Sequence, residues 1–270
     1  MVTVDELNIY PFKSGRCIPK SSVRVGSTGF EWDRYWMAVN AEGTFLSQRS
    51  HPKLAWIQPE LSDHELTLHA HGVAPISVAL DSPGESVDVK VWKDTCEGFD
   101  QGHTVSAWVS AVLGEAVRVV RAPRAPKRMA NPQYAGPTPA PVSFTDGFPI
   151  LICNRASLDE LNSRMPEPVP MERFRPNIVL DGLAPFAEDR IASIQIGDLS
   201  LRLVKPCTRC VITSTDQRTG ERSTNPLPAL REFRFDRALL GVTFGENAVP
   251  MKGVGAIIAT GAECHLTYEP

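Results

Sequence analysis

Between residues 1 and 121, apolar and polar positions alternate in short runs rather than forming helical stripes. "VTVDELNIYPF", "SSVRVGSTG", "RYWMAVNAEGTFLSQ", "ELTLHAHG" and "ISVALDSPGESVDVKVWKD" carry β-branched and aromatic residues and break at Gly, Pro, Asn or Ser, which predicts a strand-rich segment. "NAEG" (40–43) predicts a hairpin turn, and "SPGES" (82–86) a turn between two further strands. One stretch differs. In "TVSAWVSAVL" (104–113), Val105, Trp108, Val109 and Val112 recur at helical spacing and Gly114 offers a stop.

Residues 122–141, "APRAPKRMANPQYAGPTPAP", lose apolar content, and their prolines deny regular hydrogen bonding. They read as a connector between units 1–121 and 142–270, in preference to a substrate lid. Beyond them, "FPILICN" predicts a buried strand and "ASLDELNSRM" a helix, with Ser157 as cap and Glu160 closing a capping box. "NIVLDG", "ASIQIGDLSLRLVKP", "VITSTD" and "GAIIATGAECHLTYEP" predict more strands. The expected class is α+β, dominated by β.

The chain has 270 residues, 42% hydrophobic and 22% charged, enough for one large core or two smaller ones. Its 28 basic and 31 acidic residues leave a net charge of −3, so no global basic field points to nucleic acid or an anionic membrane. Any anion site must be built locally. "MVTVDELNIYPFKSG" lacks the pattern of a secretory signal, and no stretch approaches the ~18 apolar residues of a spanning helix. The expected location is cytoplasmic. Six mostly isolated cysteines read as reduced thiols rather than a disulfide framework.

The chemistry concentrates in "KPCTRC" (205–210). Cys207 and Cys210 have the spacing of half a zinc site, but no second Cys or His pair matches them, and His51, His64, His69, His71, His103 and His265 are scattered. A redox pair would need a helix start after the motif, whereas "CVITST" reads as strand. The third role is thiolate ligand to a high-valent metal, which positive neighbours such as Lys205 and Arg209 would favour. Two other stretches suit an anion. "YPFKSG" offers Lys13, Ser14 and backbone N–H groups, and "ERFRPNIVLDG" offers Arg173 and Arg175, with Pro176 biasing Arg175 toward an extended backbone. Taken singly, the first could be a surface loop and the second a structural ion pair.

These segments occur with "GFEWDRYWMAVNAEGTFLSQR", "SFTDGFPILICNRASLDELN" and "FGENAVP" in the order seen in MOSC-domain proteins that carry a MOSC N-terminal β-barrel module. The chain resembles, over nearly its whole length, the bacterial relatives of the mitochondrial amidoxime-reducing component. The resemblance implies two β-barrel units with a molybdenum cofactor (Mo-molybdopterin) between them. It assigns the molybdenum ligand and catalytic position to Cys210, with Cys207 in support. Lys13 and Ser14 match the pair that contacts the pterin phosphate, and Arg34 of "WDRYW" faces the same cofactor. Arg175 and Asn177 line the pterin, Thr208 and Arg209 stand beside the ligand, and Thr145 and Asp146 lie on a loop that approaches the ring.

The implied reaction removes oxygen from the N–OH group of a hydroxylamine, an N-hydroxylated base or an amidoxime, consuming two electrons and two protons. Asp216 is a proton-donor candidate or a strand-end turn residue. The longest bacterial relatives carry a C-terminal ferredoxin-like domain, whereas this sequence ends at "HLTYEP". The resemblance therefore implies a separate electron donor: a flavoprotein, ferredoxin or cytochrome. The alternative is a cofactor carrier or sulfur-transfer module, since MOSC domains also form the C-terminal part of cofactor sulfurases.

Overall fold

The computed structural model describes residues 1–268. Its largest element is a nine-stranded sheet. In spatial order it contains His265–Tyr268, Ile191–Ile196, Leu199–Thr208, Gly241–Lys252, Ile150–Asn154, Ile178–Asp181, Thr3–Ile9 and Ile18–Lys20, with Phe235–Asp236 paired to Gly241–Lys252. Alternation explains the core. Leu199, Leu201 and Leu203 turn inward at every second position, and meet Ile191, Ile194 and Ile196 from the neighbouring strand. Ile150–Asn154 and Ile178–Asp181 run parallel, a pairing that needs a long crossover, and helix Arg155–Ser163 lies within it.

Strand Thr3–Ile9 belongs to this sheet although it opens the chain: Leu7 pairs with Ile178 and Val4 with Leu180. Ser22–Gly26 pairs with Ile257–Ala259 in return. Hydrogen bonding thus crosses between the first third of the sequence and residues beyond 177 in two sheets. A second core lies almost wholly within residues 12–122, joined by Phe144. It sits among a four-stranded sheet (Trp36–Val39, Arg118–Arg121, Asp94–Asp100, Ser86–Val91), a three-stranded sheet (Gln58–Leu61, Glu65–Ala70, Val73–Ala79) and helix His103–Leu113. Gly114, at φ 80°, ends that helix by donating its N–H to the Ser110 carbonyl.

Three expectations change. The sheets are not closed barrels: among the described residues the outer strands of the large sheet, three and four residues long, do not pair with each other. Such short edges offer too few donors and acceptors to continue a ladder. The helix expected to be capped by Ser157 starts at Arg155 instead, because Asn154 accepts the Ala156 N–H. Ser157 is drawn inward to the buried Glu188 carboxylate at 2.8 Å. "VITSTD" is a 3₁₀ turn at Val211–Ser214 rather than a strand. There the Thr213 hydroxyl donates to the Cys210 carbonyl at 3.0 Å and Ser214 to Val211 at 2.7 Å, local bonds that compete with a ladder. The proline-rich connector packs on the large sheet, burying Ala130, Ala135 and Ala140 with the adjoining Val142 and with Val249. No helix among the described residues is long and apolar enough to cross a membrane.

The crossing strands predict one cooperative unit. Leu7 is 1% exposed in the large sheet, so Leu7→Ala should cost about 2–5 kcal/mol in urea. All five tryptophans lie between residues 32 and 108, yet their fluorescence transition should shift together with the circular dichroism transition. A tryptophan transition left in place would mean that the two halves unfold independently.

Candidate functional site

Five loops converge where the two sequence halves meet: residues 13–15 after strand Thr3–Ile9, residues 33–34, residues 143–147, residues 173–177 and residues 207–213. Together they enclose a cleft of about 870 Å³, counted to its open mouth. The ten residues that the resemblance assigned to a cofactor all line it: Lys13, Ser14, Arg34, Thr145, Asp146, Arg175, Asn177, Thr208, Arg209 and Cys210. Three of them take left-handed backbone conformations, Ser14 at φ 65°, Arg34 at 52° and Arg175 at 56°. Such backbones cost energy and persist only where neighbours enforce them. The extended backbone expected of Arg175 is therefore not found. Proline disfavours the right-handed helical region for the residue before it, and the side-chain anchor of Arg175 accompanies the left-handed alternative.

That anchor is Tyr10. Its buried ring carries the Arg34 guanidinium 4.1 Å from its centroid and that of Arg175 at 4.4 Å. Arg34 is neutralised by the fully buried Asp33 at 2.6 Å. Arg175 donates instead to the Gly15 carbonyl at 2.6 Å. Burial, with Arg34 beside it, pulls the Arg175 pKa down to about 10, so it stays charged at neutral pH.

In the same loop as Gly15, buried Lys13 donates to the Phe144 carbonyl at 2.7 Å and to Asp146 Oδ1 at 2.6 Å. Burial lowers the Lys13 pKa, and Asp146 partly restores it. The Asp146 side chain is more than half exposed, yet its partial desolvation works to raise its pKa. The Lys13 ammonium, with Arg49 and the Trp92 indole, overrides that effect and holds the carboxyl well below the usual range. Arg128, from the proline-rich stretch, fixes this loop by donating to the carbonyls of Ser143, Thr145 and Asp146 at 3.1, 2.7 and 3.1 Å.

The two cysteines differ. Cys207 sits on strand Leu199–Thr208, half-buried, and burial pushes its thiol up despite Arg209. Cys210 lies beyond the strand end, half-buried in the cleft wall, as the residue that caps the 3₁₀ turn. The ladder shifts register between Pro206 and Thr208, as expected where proline cannot donate, and this sets where Cys210 emerges. Lys205 does not line the cleft; its ammonium lies over the Tyr134 ring at 4.6 Å. Arg209 points its guanidinium at the Phe244 and Phe174 carbonyls, at 2.8 and 2.9 Å.

Asn177 uses both ends of its amide on backbone, accepting from Leu151 N–H at 3.1 Å and donating to the Asn8 carbonyl at 3.2 Å. It shapes the wall by tying strands. Asp216 holds a turn through the N–H groups of Arg218 and Thr219. Burial opposes ionisation there, but those bonds and Arg173 keep its pKa low, so it carries no proton to donate near neutral pH. Residues not singled out earlier also line the cleft, among them Arg49, Phe148 and Thr213. Arg49 lies over the Trp92 ring at 4.4 Å. Its segment, "TFLSQR", looks locally like any polar strand end, so only folding reveals the position.

The cleft wall holds six cationic side chains, Lys13, Arg34, Arg49, Arg173, Arg175 and Arg209, against one carboxylate, Asp146. Arg49 and Arg175 form no ion pair among the described residues. Buried Thr145 Oγ1 and Arg173 Nε have no hydrogen-bond partner among the described residues. Orphaned donors and surplus cations are what a polar anionic ligand would complete.

The sequence comparisons bear on what that ligand is. Residues 1–116 match the MOSC N-terminal beta barrel domain and residues 139–264 the MOSC domain. The chain belongs to the MOSC family, with both modules present. It is 32% identical to mitochondrial amidoxime-reducing component 1 of Mus musculus, over 88% of this chain and 74% of that protein. It is also 32% identical to the Homo sapiens component 1, over 86% and 72%. With molybdenum cofactor sulfurase of Danio rerio the identity is 33%, over 89% of this chain but only 31% of that protein.

The Lys13 to Asp146 pairing sets a pH dependence. A carboxyl with a depressed folded pKa contributes fully above the unfolded value of about 3.9, and that contribution is lost as pH falls through the folded pKa. Wild type should therefore melt above Asp146→Asn at about pH 6, with the gap closing below about pH 4. A gap of constant size would show that the pair does not act through charge.

Proposed function

We propose that this chain is a molybdenum-cofactor-dependent reductase of N-hydroxylated compounds, namely hydroxylamines, N-hydroxylated bases and amidoximes. The observation that carries the reading is the half-buried Cys210 thiol, with Cys207 near it, in the wall of a cleft whose cations outnumber its carboxylates. No three His, Cys, Asp or Glu side chains among the described residues group to hold a metal by themselves. A metal at Cys210 would therefore bring most of its ligands with it, as a dithiolene cofactor does.

The residues present fit such a group. Lys13, Ser14 and Arg175 offer ammonium, hydroxyl and guanidinium to a phosphate. Arg34, Thr145 and the amide-tied wall at Asn177 would border the ring, and Cys210 would supply a soft thiolate. Arg209, anchored on the Phe244 and Phe174 carbonyls, adds positive charge to the cleft wall that Cys210 shares. When bound, the cofactor supplies the two-electron removal of oxygen that no side chain can perform. Asp146, the one carboxylate in the wall, is held ionised by Lys13, so we assign proton supply to water at the open mouth. Two electrons come from a separate donor protein.

Protein expressed in a cofactor-competent host should contain equimolar molybdenum and pterin, and should convert benzamidoxime to benzamidine with a reduced donor. Cys210→Ala should lower turnover by more than the roughly 10- to 100-fold typical of residues that merely support a metal ligand. Full turnover in Cys210→Ala would sink the proposal. Molybdenum retained without any benzamidine would favour a cofactor carrier, the reading suggested by the likeness to molybdenum cofactor sulfurase.

A further inference from the structure

The cleft takes its walls from both sequence halves, and a buried polar clasp joins them. Gln48, from the N-terminal half, is fully buried, and Gln217, in the loop after the Cys210 turn, is 3% exposed. Gln48 Nε2 donates to Gln217 Oε1 at 2.9 Å, and Gln217 Nε2 donates back to Gln48 Oε1 at 3.0 Å. Backbone carbonyls settle which end of each amide faces which. Gln48 Nε2 also donates to the Ser14 carbonyl at 2.7 Å, and Gln217 Nε2 to that of Thr215 at 3.1 Å.

Both ends of the clasp touch the site. Ser14 carries one of the left-handed backbones beside Lys13, and Thr215 caps the end of the turn that begins at Cys210. Arg175 joins in, donating to Gly15 and reaching Gln217 Oε1 at 3.4 Å. Arg222, exposed, closes the same seam. It donates to the carbonyls of Gln48 and Arg49 at 2.7 and 3.2 Å, and to the Val211 carbonyl at 2.8 Å and the Thr215 hydroxyl.

We infer that Gln48 and Gln217 are positioning residues, whose reciprocal amide pair sets the spacing between the anion cradle of Lys13, Ser14 and Arg175 and the Cys210 thiol. Neutral amides suit the task. An acidic residue at 217 would stand against Arg175 and cancel the charge that the cradle needs, whereas an apolar contact would fix neither distance nor angle. The inference rests on the proposed cofactor only for its molybdenum arm, because the thiol can be probed without any cofactor.

The test compares Gln48→Leu, Gln217→Leu and the double variant. Each single change leaves an amide facing an apolar group, so both should lower the melting temperature, and the double should recover part of it by burying two apolar side chains together. Positioning should not recover. Molybdenum content should fall about tenfold in the singles and stay low in the double. In the chain stripped of cofactor, alkylation of Cys210 by iodoacetamide, read by peptide mass spectrometry, should be faster in all three than in wild type. If molybdenum content and alkylation rate simply follow melting temperature, the pair is structural and the inference fails. If the leucine variants do not fold, Arg222→Met, at the exposed side of the seam, should still speed Cys210 alkylation, and an unchanged rate there overturns the inference. Wild-type protein without molybdenum would refute the proposed function, and the alkylation arm alone would then decide the clasp.

Discussion

The structure depends on keeping cations charged and uncancelled in a half-buried wall. Taking a guanidinium or ammonium out of water is costly unless its donors are met, and a carboxylate at every one would meet the donors while erasing the field. The chain uses carbonyl oxygens and aromatic faces for much of the work. Arg175 is held by the Gly15 carbonyl and the Tyr10 ring, and Arg209 by the carbonyls of Phe174 and Phe244. These partners satisfy hydrogen bonds and leave net positive charge at the cleft. Carboxylates are admitted sparingly, Asp33 behind Arg34, Asp146 beside Lys13 and Asp216 beside Arg173.

Three residues of the cleft wall carry unusual backbone, and this links the site to the fold. Ser14, Arg34 and Arg175 adopt left-handed conformations that isolated loops would not hold. They hold here because each loop lies at or near a strand built into a sheet. Residues 13–15 follow Thr3–Ile9, and 173–177 lead into its hydrogen-bonded neighbour Ile178–Asp181. The first strand of the chain therefore serves the C-terminal sheet and the site at once. The same logic applies to Cys210. A long ladder brings the chain to the cleft, a register shift around Pro206 disturbs it, and side-chain bonds from Thr213 and Ser214 turn the β-branched "VITS" away from a strand.

Much of this was legible beforehand. Period-two runs marked most strands, and helical spacing with Gly114 marked the helix at 103–113. The motif segments pointed to ten residues that the fold gathers around one cleft. Failures came where local preference met a tertiary partner. Ser157 has the chemistry of a cap, but Glu188 claims it. Lys205 is adjacent in sequence to the cysteine pair, yet strand geometry turns it onto Tyr134. For Asp216, of the two readings left open, the turn residue is the one found.

By itself, the sequence determined the β-dominated class, the positions of most strands along the chain and the residue types able to hold an anion beside a thiol, because periodicity and side-chain chemistry are local properties. Only the tertiary structure decided that Thr3–Ile9 sits in the C-terminal sheet, that the sheets stay open, that Arg49 reaches the cleft and that Gln48 meets Gln217. Those facts depend on contacts between residues far apart in the chain, whose pairing is set by burial and register. No single segment encodes them.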